Sequence, residues 1–138
     1  IHQPLHAIGR ISSQYPDGDR GGNLFLVKGV PQKNLHSFWD SGATQYAEMP
    51  DKNWQKHIPT YAAEVTKEFP PETCSNLQEF APEAWAKESH ELAIHYGYAN
   101  LKNNEELSQA YMEEAKVIVR KRLATGGYRL ANLLNTIL

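Results

Sequence analysis

Apolar residues recur at helical spacing through most of the second half of the chain. Between Leu107 and Thr125, Tyr111, Ala115, Ile118 and Arg122, with Val119 and Leu123 beside them, mark one face of an amphipathic helix. Gly126-Gly127 reads as its end, and Leu130, Leu133, Leu134 and Ile137 as the apolar face of a last helix from about Tyr128. Upstream, Trp85, Glu88/Ser89, Leu92 and Tyr96 keep the same period from Pro82 to about Tyr98. Another helix follows Pro59, a favoured first helical residue, and stops at Pro70-Pro71. The opening is different. Residues 1–10 read as the end of a helix that Pro4 kinks or terminates, and residues 11–22 are dense in turn formers. Leu24-Phe25-Leu26-Val27, bounded by Gly22 and Gly29, reads as a brief strand. The pattern predicts a mainly α fold of several helices with a small β element near residues 23–29.

One short helix carries candidate chemistry. Asn34 is a good N-cap, and in Asn34-Leu35-His36-Ser37-Phe38-Trp39-Asp40 the residues His36 and Asp40 stand four apart, on one helix face. Phe38 and Trp39 are core residues of that helix. With His6 brought alongside by the fold, two imidazoles and a carboxylate make the ligand set of a zinc site that keeps a position open for water or substrate. Spacing alone leaves a second reading open, a capped helix with ordinary polar residues. His90 and His95, five apart, share a face poorly and read as structural. The 138 residues carry a formal charge of −2, so there is no basic footprint for gripping long stretches of phosphate. That leaves open a nuclease whose positive charge comes from bound metal. No apolar run is long enough to span a bilayer.

Three separate stretches, Ile1-His2-Gln3-Pro4-Leu5-His6, Asp19-Arg20-Gly21-Gly22-Asn23 and Asn34-Leu35-His36-Ser37-Phe38-Trp39-Asp40, together with the closing Gly126-Gly127-Tyr128-Arg129-Leu130-Ala131-Asn132-Leu133-Leu134-Asn135, closely resemble the S1/P1 nuclease family. The resemblance runs the length of the chain and implies that family's multi-helix fold, shared with zinc phospholipase C. It implies a zinc-dependent nuclease and 3′-nucleotidase acting on single-stranded RNA, DNA or nucleotides and leaving 5′-phosphorylated products. In this family three zinc ions work together. By resemblance His6, His36 and Asp40 hold the most solvent-open one, which binds phosphate and stabilises the leaving 3′ oxygen, while the deeper pair activates the attacking water. Asp19 is the expected acceptor for a ligating imidazole's outer N–H, with Asp17 behind it, and Asn23 fixes the loop beside the metals. Arg20, next to the glycine pair, is the expected nucleobase contact.

The family's bridging aspartate precedes the Gln-Pro-Leu-His motif, one residue before Ile1. Residues 1–138 therefore resemble the C-terminal portion of a single nuclease domain, with the N-terminal half of the same enzyme as its partner. Secretion, or a periplasmic or luminal location, comes from the family only. So does one of two readings of Cys74, a disulfide back to the N-terminal half; the other is a free thiol. A phospholipase C-type phosphodiesterase, and a fragment inactive by itself or one half of a two-chain enzyme, are the competing readings. The Gly-Gly-Asn and Asn-Leu-His-Ser-Phe-Trp-Asp wording favours the nuclease.

Overall fold

The computed structural model describes residues 1–46 and 54–138. Four α-helices lie among them: α1 at Leu35–Asp40, α2 at Ile58–Glu68, α3 at Pro82–Leu92 and α4 at Gln109–Ile137. Two short strands, β1 at Val27–Lys28 and β2 at Glu105–Glu106, pair in parallel with Val27 opposite Glu105. The mainly α expectation, with a small β element, holds. The strand is shorter and later than the apolar run 24–27 suggests, because Leu24 and Leu26 are exposed while Phe25 turns into the core. Its partner, Glu105-Glu106, carries no strand signal, and only the path of the chain brings it there.

Two other expectations give way. The start of the chain is no long helix but one 3-10 turn, Pro4–Ala7, capped by Gln3. Gly126-Gly127 does not end a helix, since α4 runs unbroken through it for 29 residues. Glycine inside a helix costs roughly 1 kcal/mol relative to alanine, so packing overrides propensity here. At Gly126 the reason is visible: a Cβ there would lie 3.4 Å from Cγ of His2. Downstream of α3 the helix widens into a π turn, Ala93–Gly97, that places Gly97 against Leu5.

The main core gathers Leu5, Phe25, Leu35, Phe38, Trp39, Ala93, Ala115 and Val119, so it sits directly beneath α1. A smaller cluster joins Val65 of α2, Cys74 and Ala124 of α4. Between α3 and α4 lies a charged knot. Arg129, 1% exposed, donates to both oxygens of Glu88 at 2.9 and 2.7 Å. Arg122 donates to Glu88 at 3.0 Å, to Ser89 Oγ at 3.0 Å and to the His2 carbonyl at 3.1 Å. Burial opposes ionisation of Glu88, but hydrogen bonds from Arg129 and Arg122 outweigh it and hold the carboxyl at about 2. Burial, with Arg122 and Arg129 alongside, pushes the His2 imidazole down to about 4, so it stays neutral. The knot ties the first residues of the chain to α4.

Candidate metal centre

Asn34 begins α1 from an extended conformation, φ −139° and ψ 163°, and its side chain accepts the Ser37 amide at 2.8 Å. That cap sets the helix phase. Leu35, Phe38 and Trp39 face the core, and His36 and Asp40 face out together. The buried side is pinned by Trp39 Nε1, which donates to the Tyr111 hydroxyl at 2.9 Å; Tyr111 in turn donates to the Gly97 carbonyl at 2.7 Å. We expect Asn34→Ala to lower stability by about 1 kcal/mol, read from the midpoint of denaturant unfolding.

His6 comes from the 3-10 turn. Gln3 shapes that turn, since its Oε1 accepts the Leu5 amide while its Nε2 donates to Asp40 Oδ1 at 2.8 Å. One side chain thus positions the turn bearing His6 and the carboxylate of α1. The Pro4 that follows makes Gln3 legible as a cap, but its bond to Asp40 spans 37 positions and has no sequence signal.

These elements bring His6, His36 and Asp40 together. His6 Nε2 lies 3.2 Å from Asp40 Oδ1 and His36 Nε2 lies 3.3 Å from Asp40 Oδ2. The two rings stack with centroids 5.1 Å apart, and the potential ligand atoms of the three residues all fall within 4.8 Å of one another. Tetrahedral coordination with bonds of about 2.1 Å separates ligand atoms by about 3.4 Å, close to the two spacings found. His36 Nδ1 donates to the Gly21 carbonyl at 2.7 Å, which leaves Nε2 as the free lone pair on the Asp40 side. The donor set fits a zinc ion. His6 and the Asp40 side chain are about half exposed, so the cluster opens to solvent.

Asp19 is not the imidazole's acceptor, because Gly21 takes that place. Asp19 is fully buried and its two oxygens are used elsewhere, accepting the Arg10 amide at 2.9 Å and the Tyr98 hydroxyl at 2.7 Å. Burial, and then the Asp19 carboxylate, push the Tyr98 phenol far above its ordinary value, so it remains a donor. Asp19 therefore holds the loop that carries Gly21. Tyr98, sitting 79 positions away, was invisible to motif reading. Asn23 braces the same loop by donating to the Arg20 carbonyl at 2.9 Å. Arg20 itself is exposed, with φ of 56°, and lines an open groove of about 460 Å³ with His6, His36 and Asp17. Asp17 makes no bond to either imidazole among the described contacts. His90 is structural as expected, its Nδ1 donating to the Ala7 carbonyl at 2.9 Å.

Gly21 has φ of +64°, and a Cβ there would stand 2.6 Å from the Leu5 carbonyl. Gly21→Ala must displace either the His6 turn or the carbonyl that orients His36. We expect zinc affinity to fall by about 10–100-fold, the usual cost of losing a ligand's outer partner, with the helix content unchanged by circular dichroism.

A helical scaffold that presents two histidines and an aspartate in an open cluster defines a metal-site protein of the hydrolase kind. The S1/P1 Nuclease family profile matches residues 1–138, and the chain belongs to that family. It is 36% identical to Endonuclease 4 of Arabidopsis thaliana over 145 aligned positions, covering 99% of this chain and 46% of that protein. Against Endonuclease 1 and Endonuclease 2 of the same plant the identity is 34%, covering 99% of this chain and 45% and 47% of theirs. The chain thus spans about half the length of the curated relatives it matches.

Proposed function

We propose that the whole protein is a zinc-dependent nuclease that hydrolyses phosphodiesters of single-stranded RNA and DNA and removes 3′ phosphates from nucleotides, giving 5′-phosphorylated products. The observation that carries this reading is the meeting of His6, His36 and Asp40 at zinc-like spacing in a chain of the S1/P1 nuclease family. Zinc held there supplies a Lewis acid for a phosphoryl oxygen and for the leaving 3′ oxygen. The chain's own residues do the holding and aiming. Gly21 fixes the His36 tautomer, and Gln3 keeps Asp40 facing the two imidazoles. The exposed Arg20 guanidinium, in the groove beside His6 and His36, suits a nucleotide's base and phosphate, with Asn23 bracing its backbone.

The further zinc ions and the bridging aspartate belong to the preceding half of the protein, which this reading makes the partner of residues 1–138. The same reading makes the protein secreted, periplasmic or luminal. It also gives Cys74, a buried free thiol in this chain, a disulfide partner in that half. The whole protein should cut single-stranded DNA and release phosphate from a 3′-nucleotide, stop on chelation and resume with added zinc. Cleavage that survives exhaustive chelation would remove the metal from the account. Turnover of phosphatidylcholine vesicles with none of single-stranded DNA would move it to the phospholipase C side.

A further inference from the structure

One side of α4 is apolar yet exposed. Leu123, Leu130, Leu134 and Ile137 are 52%, 57%, 41% and 66% exposed. At 100° per residue they fall within a sector of roughly 60° on the helix, beside the sector that Ala115 and Val119 bury. A row of leucines facing solvent over the length of a helix marks an interaction surface. Hollows flank it, and Leu123 lines both. One, of about 470 Å³, lies between α2 and α4 and is walled by Ile58, Tyr61, Val65 and Tyr128. The other, of about 280 Å³, leads past Val119 to His2, Gln3, His6 and Asp40.

We propose that this face receives the part of the polypeptide that precedes Ile1 in the whole protein, which packs an apolar surface on the α4 stripe and roofs the cleft beside His6 and Asp40. The proposal rests on the reading of the whole protein as a nuclease of its relatives' length. Three observations choose this occupant. The chain covers only 46% of Endonuclease 4, so a segment of comparable size remains to be seated. Its first residues lie on α4 itself. Ser89 Oγ donates to the Ile1 carbonyl, Arg122 Nε donates to the His2 carbonyl, and the His2 ring rests against Gly126. Polypeptide arriving at Ile1 therefore reaches the helix that bears the stripe. Finally, Leu123 joins the apolar hollow to the metal cleft, so whatever covers the leucines also closes over His6 and Asp40. A second copy of the chain has no such tie to Ile1.

The test is thiol labelling of the whole protein, with the parent as blank. Cysteine is introduced at Leu130 or at Leu134 (Leu130→Cys, Leu134→Cys), and at Lys102, whose side chain is 79% exposed, as a reference (Lys102→Cys). The stripe positions should react roughly a hundredfold slower than position 102, because a packed side chain reacts only through local opening. The protein should be monomeric by light scattering, with the protection independent of dilution. Stripe positions that react as fast as position 102 overturn the proposal. So does protection that disappears on dilution of a dimer, which would make the occupant a second copy. The readout is independent of activity. Protection in a protein without nuclease activity upholds the docking and removes the function, whereas nuclease activity with an unprotected stripe does the reverse.

Discussion

His36→Ala is expected to lower cleavage of single-stranded DNA by the whole protein at least about 10²-fold, a floor set by what the loss of an outer partner of a zinc ligand already costs. His36 is the ligand the fold secures most tightly. Its ring is oriented from one side by the Gly21 carbonyl and faces Asp40 on the other, and its backbone amide donates to the Gly22 carbonyl at 3.3 Å. The substitution leaves the core beneath α1 untouched, because Leu35, Phe38 and Trp39 carry that packing. Folding should therefore persist while cleavage is lost, and circular dichroism alongside a gel assay separates the two. Undiminished cleavage in the folded variant would sink the metal assignment.

Glu88→Ala should produce the largest loss of stability, about 3–5 kcal/mol, the cost of removing one member of a buried ion-paired group. Its single carboxylate serves two guanidiniums, of which Arg129 is 1% exposed and Arg122 9%. Without it two buried cations face each other beside a neutral His2. Denaturant unfolding reads the loss, and a change below about 1 kcal/mol, the range of exposed pairs, would show that the knot is solvated. The same cluster sets an acid limb. Glu88 titrates at about 2 when folded, below its ordinary 4.5, so its contribution is complete above pH 4.5 and disappears as pH falls towards 2. His2 titrates at about 4 when folded, below its ordinary 6.5, so the unfolded chain takes up this proton first and stability falls from pH 6.5 towards 4. Both effects have one sign, and stability rises with pH across the whole acid range.

The sequence carried the helices whose pattern is local. α2 between its prolines, α3 after Pro82 and the capped α1 all follow from spacing, proline placement and one asparagine. The ligand set was equally legible, because His36 and Asp40 share a helix face and the motif wording placed His6 with them. What escaped is long-range. The continuity of α4 through Gly126-Gly127 depends on a histidine 124 positions earlier in the chain, pressed against a site with no room for a Cβ. The pairing of Val27-Lys28 with Glu105-Glu106 reflects chain path rather than strand propensity. Asp19 was read as an imidazole partner from its position beside the motif. The backbone turn instead offers the nearer Gly21 carbonyl, and Tyr98, far off in the sequence, claims the carboxylate. Polar residues beside a ligand are easy to find by motif, but their partners depend on which groups the fold leaves within reach.

The central claim is that His6, His36 and Asp40 hold a zinc ion, and zinc counted per chain in the whole protein and its Asp40→Ala variant tests it most directly. Asp40 is the shared member, touching both imidazoles and Gln3. The account predicts that the folded variant, purified without chelator or acid, carries one zinc fewer than its parent. A folded variant with an undiminished zinc content would contradict it.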